Sequence, residues 1–337
     1  MKILLTGGAG YIGSHTAIEL IQSGHNVVIM DDLSNSSAEV IRRIEDITKT
    51  TIPFVKADVR DKAALEEVFA NQQIDAVIHF AGFKAVGESV AKPLEYYDNN
   101  LVSSLVLLET MQKHHVNKIV FSSSATVYGN PESLPLTEES PTGQGITNPY
   151  GQTKFMIEQI LQDAAVANPE LEVSILRYFN PIGAHPTALI GEVPNGAPAN
   201  LIPYLTQTAI GIREQLAVFG DDYNTPDGSP IRDYIDIVDL ARAHVEAVRR
   251  LVERQATEPL EVFNLGTGRG VSVLELIRTF EEATGVRVPY QIVGRREGDI
   301  EQVWADPARA NRVLGWTART PLSETLRNAW KWQQRQG

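Results

Sequence analysis

The sequence predicts an α/β protein, a doubly wound parallel sheet with a smaller α/β lobe towards the C-terminus. Three observations carry that expectation. Through the first half, short near-continuous apolar runs alternate with longer amphipathic ones. A glycine-rich turn joins the first apolar run directly to the first amphipathic one. After residue 178 the rhythm gives way to a stretch rich in Pro, Gly and Asn before regular patterns return.

Taken in order, the strand-like runs are residues 2–6, 26–30, 52–56, 76–80, 118–123 and 173–178. Helical patterns lie between them at 11–23, 38–48, 62–71, 94–114 and 150–168. Strands apolar on both faces, separated by helices, indicate a parallel sheet covered on each side. The segment from Asn180 to Arg232 carries Pro181, Pro186, Pro194, Pro198 and Pro203 and reads as a loop-rich excursion of functional size. A helix is then expected over 238–253 and a strand over 261–265 that returns to the main sheet. A helix over 273–284, a strand over 288–293 and terminal helices after Pro307 and Pro321 complete the chain. The expected organisation is a nucleotide-binding lobe over 1–180, rejoined by 236–268, and a second lobe over 181–337.

Composition narrows the function classes. There is no cysteine, which excludes disulfides, thiolate catalysis and cysteine-ligated zinc. The His114–His115 pair has no partner at ligand spacing and reads as structural, so no metal site is expected. A net charge of −12 repels nucleic acid and anionic membrane overall. No apolar stretch approaches the ~20 residues of a membrane span. The expectation is a cytoplasmic protein whose anionic ligands need locally gathered arginines.

Gly7, Gly8, Gly10 and Gly13 satisfy both G-x-x-G-x-x-G and G-x-G-x-x-G. The turn follows a strand and opens a helix, the context of a Rossmann-type dinucleotide site. Glycine there lets the backbone approach a pyrophosphate, whose charge the helix N-terminus favours. Asp31 ends the second strand, where a carboxylate accepts bonds from ribose hydroxyls. Asp32 adds negative charge and no arginine stands within residues 31–37, so NAD is favoured over NADP. Asp32 also reads as a solvated turn acid. Asp58 follows the third strand, within reach of an adenine amino group.

Tyr150 and Lys154 stand four apart at the start of a helical pattern and share one face. Ser122–Ser124 end the preceding strand, at the carboxyl edge where ligands bind in such sheets. A tyrosine acting as a base near neutrality needs its pKa lowered by ~3 units from ~10. The positive charges of Lys154 and of an oxidised nicotinamide are of the right sign. Lys154 would also orient the nicotinamide ribose, and Ser124 would bond a substrate hydroxyl and relay its proton. Lys84 and Asn99 read either as site residues or as surface and capping residues.

Together these residues resemble the extended short-chain dehydrogenase/reductase family, and within it the UDP-glucose 4-epimerases most closely. Residues 6–16, 79–89 (HFAGFKAVGES), 93–100 (PLEYYDNN), 121–129 (FSSSATVYG), 177–186 (RYFNPIGAHP), 232–240 (RDYIDIVDL) and 295–299 (RREGD) carry the resemblance. It implies a tightly held NAD, recycled at each turnover, contacted by Gly7, Gly10, Tyr11, Ile12, Gly13, Asp31, Asp32, Asn35, Ser36, Asp58, Val59, Phe80, Ala81, Gly82, Lys84, Asn99, Ser122, Tyr150, Lys154 and Phe179. A UDP-hexose would be held by Lys84, Ser124, Ala125, Thr126, Tyr150, Asn180, Asn200, Leu201, Ala217, Val218, Phe219, Arg232, Arg296, Asp299 and Val303. Arginines suit a diphosphate inside an acidic protein. The implied reaction is reversible inversion at C4 of UDP-galactose and UDP-glucose through a 4-keto sugar, as in galactose metabolism, with Ser124, Tyr150 and Lys154 catalytic.

Two departures and two rivals bear on this expectation. Asp32 stands where many relatives carry Asn, which sharpens the preference for NAD. Val303 stands where some epimerases have a tyrosine, leaving room for an N-acetyl group, so UDP-GlcNAc and UDP-GalNAc are expected substrates too. A nucleotide-sugar 4,6-dehydratase would need an Asp–Glu pair where Ala125 and Thr126 stand, and neither does acid–base work at neutral pH. A non-catalytic dinucleotide sensor would need neither Tyr150 and Lys154 nor the arginines. The family forms homodimers through helices in the 94–114 and 150–168 regions, and the same is expected here, although amphipathic periodicity alone would equally serve an intramolecular contact.

Overall fold

The structure, a computed structural model, describes residues 1–193, 196, 198, 200–296 and 298–336. Pro194 of the proline-rich segment and Glu297 of the 295–299 stretch lie outside the described residues.

Chain order begins β1 (Lys2–Thr6), α1 (Tyr11–Gln22), β2 (Asn26–Asp31), α2 (Ala38–Thr48), β3 (Phe54–Lys56), α3 (Lys62–Gln72) and β4 (Ala76–His79). It continues through α4 (Val86–Ala91), α5 (Pro93–Tyr97), α6 (Ser103–Lys113), β5 (Lys118–Ser124), α7 (Pro149–Ala167) and β6 (Glu172–Tyr178). The third strand starts at Phe54, two residues later than expected, because Pro53 has no N–H to give a ladder and contributes only its carbonyl, to the Ile29 N–H. The helix expected over 94–114 is interrupted by a π-turn, Asp98–Val102, between α5 and α6. The turn buries Asn99 and Asn100. Asn100 then accepts from the Phe83 N–H at 2.8 Å and donates to Thr153 of α7 at 2.9 Å.

Residues 180–232 hold more regular structure than their prolines suggest. They contain β7 (Asn180–Ile182), α8 (Leu201–Ala209), β8 (Leu216–Phe219) and the start of a short ladder at β9 (Ile231–Arg232). Pro203 is tolerated because it sits in the first turn of α8, where its missing N–H has no intrahelical partner. There follow β10 (Tyr234–Asp236), α9 (Ile237–Val252), β11 (Leu260–Leu265), β12 (Val271–Ser272), α10 (Val273–Thr284), β13 (Tyr290–Val293), β14 (Gln302–Val303) and α11 (Leu322–Gln336).

Seven parallel strands form the main sheet in the order β11-β6-β5-β4-β1-β2-β3. Ile3, Leu5, Val27 and Ile29 pack on one face against buried residues of α1 and α9, and Leu4, Val28, Met30 and Val77 on the other with residues of α3, α6 and α7. Adjacent strand residues thus enter opposite cores, as a sheet covered on both sides requires. A third core joins Leu205, Leu216, Val218, Phe280 and Leu326 around β8, α10 and α11. The chain moves outward from β1 to β3 and then returns to place β4 beside β1. That reversal opens a crevice at the carboxyl ends of β1 and β4. Among the described residues no helix is long and apolar enough to cross a membrane.

Candidate active site

A cavity of about 960 Å³ occupies the crevice. It is lined by Gly7, Gly10, Tyr11, Ile12, Gly13, Asp31, Asp32, Asn35, Ser36, Asp58, Val59, Phe80, Ala81, Gly82, Lys84, Asn99, Ser122, Tyr150 and Lys154. The glycine turn is tight for steric reasons. Gly7 has φ +70°, and a Cβ there would stand 2.7 Å from the Ala81 nitrogen; one at Gly13 would stand 2.6 Å from the Gly7 carbonyl oxygen. Gly10 caps α1 without a side chain, so the first N–H groups of the helix point into the cavity uncapped. That arrangement fits a dinucleotide pyrophosphate.

Asp31 is only 5% exposed and accepts from the Ala9 and Leu33 N–H groups and the Ser36 hydroxyl. Burial pushes its pKa up, and those bonds hold it back. At the rim, the Arg60 guanidinium grips Asp58 and holds its carboxyl low. Arg43 of α2 also lines the cavity, although residues 31–37 contain no arginine. Its guanidinium lies 5.4 Å from the Trp332 ring centroid and 3.7 Å from a Glu39 oxygen.

At the other end, Asn148 caps α7 by accepting from the Gly151 N–H at 2.8 Å, with Pro149 at the first helical position. Tyr150 and Lys154 therefore leave the first two turns of α7 towards the end of β5. The Lys154 ammonium donates to the Ser122 carbonyl at 2.6 Å and stands 5.9 Å from the Tyr150 ring centroid. Burial brings Lys154 down to about 8, opposed by Glu158. The expected lowering of Tyr150 is absent. Burial of the phenol pushes its pKa up, with only the Ser124 hydroxyl hydrogen-bonded to it in opposition. The Lys154 charge is directed at a backbone carbonyl instead.

Phe179 is not part of the cavity wall. It packs with Val127, Tyr128, Leu136 and Ala305, while its neighbour Tyr178 faces the cavity and shares a hydrogen bond with His244 Nε2. Tyr178, Glu192 and Trp332 line the cavity without having been singled out from sequence. The only advance signal was Tyr178's place at the end of a predicted strand.

The residues expected at the sugar nucleotide form a looser group. Ala125 and Thr126 open the short turn after β5, where the Thr126 N–H donates to Ser124 Oγ at 3.2 Å. Asn180 starts β7, and its N–H donates to the Asp233 carbonyl. Asn200 caps α8 just before Leu201 and donates to Glu192 at 2.6 Å; Lys84 pairs with the same carboxylate at 3.2 Å. On β8, Ala217 is exposed and Phe219 lies 4.4 Å beneath the Arg296 guanidinium. The Val218 side chain instead points into the third core, since alternate residues face opposite ways. Arg232 is the ladder partner of Val303, and its guanidinium reaches Asp299 at 2.5 Å.

The chain matches the model of the NAD dependent epimerase/dehydratase family over residues 3–266. It is 55% identical over 333 residues to a UDP-glucose 4-epimerase of Bacillus subtilis strain 168, spanning 99% of this chain and 97% of that protein. A solved UDP-glucose 4-epimerase from Bifidobacterium longum, in complex with NAD+ and UDP, is 52% identical at a TM-score of 0.94, covering 99% and 98% of the two chains. Another, from Stenotrophomonas maltophila with bound NAD and formylated UDP-arabinopyranose, is 51% identical at a TM-score of 0.96, covering 100% and 98%.

Proposed function

The chain belongs to the NAD dependent epimerase/dehydratase family, and on that premise we propose that it interconverts UDP-galactose and UDP-glucose by reversible inversion at C4. The observation that carries the reading is one cavity holding an uncapped glycine turn at one end and Tyr150 and Lys154 at the other. The 55%-identical relative is a UDP-glucose 4-epimerase. Residues 1–180 with 236–268 would bind the nucleotide, and 181–337 the sugar nucleotide. Cytoplasmic residence belongs to the same proposal.

NAD, when bound, supplies the acceptor and donor of the C4 hydride. The residues of the chain handle the proton and the orientation. Tyr150 Oη takes the proton from the sugar 4-hydroxyl and returns it, with Ser124 as relay, and Lys154 holds positive charge beside the phenol. Asp31 receives the adenosine ribose. Asn180, Asn200, Arg232 and Arg296 hold the UDP, so the 4-keto hexose is free to turn and present its other face. Ala125 and Thr126 supply no acid–base pair, which favours epimerisation over 4,6-dehydration. The deciding assay incubates the purified protein with UDP-galactose and no added NAD and follows UDP-glucose. Formation of UDP-glucose is expected; failure, with or without NAD, overturns the reading.

Substrate breadth is a second proposal. Val303 packs on the apolar cluster that Ala125 also borders, and a valine there is smaller than the tyrosine that some epimerases carry, which supports room for an N-acetyl group. Turnover of UDP-GlcNAc alongside UDP-galactose is expected, and Val303→Tyr should remove the first and spare the second. A wild-type protein inert towards UDP-GlcNAc sinks this part. A homodimer is also proposed, supported by the exposed Leu94 and Leu105 and the half-exposed Met156 on α5, α6 and α7. Light scattering giving the mass of a single chain would refute it.

A further inference from the structure

One turn beyond Lys154 on α7 stands Glu158, and both are 5% exposed. While the Lys154 ammonium donates to the Ser122 carbonyl, Glu158 Oε1 accepts from the Ser123 hydroxyl at 2.5 Å. Successive turns of one helix thus grip successive residues of β5, and Ser124 comes next. From the other side, Arg177 of β6 donates Nε to Oε1 at 3.0 Å and Nη2 to Oε2 at 2.7 Å. Ser123 and Arg177 are register partners across β5 and β6, as are Ser124 and Tyr178. Arg177 Nη1 donates to Tyr128 Oη at 2.9 Å, which in turn donates to Asn264 of β11 at 2.7 Å. Every side chain in this chain of bonds is buried. Burying an ion pair costs desolvation that apolar residues avoid, so stability alone is a weak reason for it.

We propose that Glu158, fixed by Arg177 and Ser123, is a positioning residue for the reaction: it sets α7 against the end of β5 and its negative charge keeps Lys154 protonated. The inference rests on the roles proposed above for Tyr150 and Lys154. Its electrostatic part follows from what faces the ammonium. Tyr150 comes from the same helix, the Ser122 carbonyl and the Phe121 ring from β5, and His79 from β4. Burial holds His79 neutral, down to about 3, and pushes the Tyr150 phenol up, so these groups contribute no negative charge near neutrality. Glu158 opposes the burial that draws Lys154 down. Arg177 donates to both oxygens of that carboxylate and so weakens its field.

The test compares wild type, Glu158→Gln and the double variant Glu158→Gln/Arg177→Met. Lys154 ionisation is read directly by pulse acetylation across pH, with mass spectrometry of the peptide bearing Lys154, because only the neutral amine reacts. UDP-galactose turnover from pH 6.5 to 9, retained NAD per chain and melting temperature are measured on the same preparations. In Glu158→Gln the acetylation midpoint should fall, and turnover relative to wild type should drop about tenfold between pH 6.5 and 8.5. That variant leaves the Arg177 charge buried without its carboxylate partner and should melt lower. The double variant should recover much of the melting temperature and keep a midpoint below that of wild type. A wild-type midpoint in both variants overturns the proposal. Wild type without turnover at any pH instead overturns the assigned reaction, and the acetylation midpoints still decide the role of Glu158.

Discussion

At the scale of single residues, the phenol of Tyr150 holds its proton firmly, since burial disfavours the phenolate and Lys154 points at the Ser122 carbonyl. A base so placed works only when further positive charge arrives beside it, which ties its activation to the loaded site. Tyr150→Phe keeps the ring and removes the oxygen. Turnover of UDP-galactose should fall by about 10²–10⁴-fold, the usual contribution of a positioned acid–base group, with retained NAD unchanged. Turnover within threefold of wild type, measured by chromatography of the nucleotide sugars, would remove Tyr150 from the proposed chemistry. Tyr150 and Lys154 stand out in the sequence because a four-residue spacing on a helix is a local fact. Glu192 does not, since what joins it to Lys84 and Asn200 is a contact across 108 residues on one side and a helix cap on the other. The upward shift of Tyr150 was equally hidden, because burial is a property of the folded neighbourhood.

Elements differ in legibility for a related reason. Apart from the three-residue β3, the strands of the main sheet are four to seven residues long and each holds apolar residues at its centre, and α1 opens directly from a glycine turn, so pattern and punctuation agree. Strands of two or three residues, such as β9, β10, β12 and β14, are too short to show a period and are defined only by their partners. The π-turn within the expected 94–114 helix likewise leaves hydrophobic spacing nearly intact while turning Asn99 and Asn100 inward. For α7 the informative feature is its start. Asn148 satisfies the Gly151 N–H and Pro149 presets the first turn, so the turn bearing Tyr150 is fixed from its own end. Asn148→Ala should cost about 1 kcal/mol, seen as a lower urea midpoint. Turnover should fall more than that loss of folded protein explains, because the fraying turn carries Tyr150. An unchanged midpoint would show that the cap does not hold the helix start.

For the whole molecule, the buried histidines set how the fold answers acid. His15 and His79 are brought down by burial to about 3 and His244 to about 4, each with its ring enclosed between structural elements. His15 Nδ1 faces the Tyr11 carbonyl, His79 lies between the Thr6 and Ser104 hydroxyls, and His244 lies between Tyr178 and the Leu240 carbonyl. In the unfolded chain each takes up a proton near ~6.5. The folded state binds fewer protons, so the stability these groups confer is complete above that value and is lost as pH falls towards 4. His25 and His185, also lowered by burial, act in the same sense. Asp236 opposes them. Burial raises it to about 6, so on acidification the folded state gains a proton there before the unfolded state does. Asp31, Asp233 and Glu138, raised for the same reason, add to that opposition. Setting the three most strongly lowered histidines against Asp236 leaves an excess of about two protons on the unfolded chain near pH 5.5, or about 3 kcal/mol of lost stability per pH unit. Melting temperature, followed at constant nucleotide load, should therefore fall steadily from pH 7.5 to 5. A flat or rising profile would mean that the buried acids outweigh the histidines. His79→Gln separates the two: by removing one of the groups that must be kept neutral, it should make the acid limb shallower by about one proton.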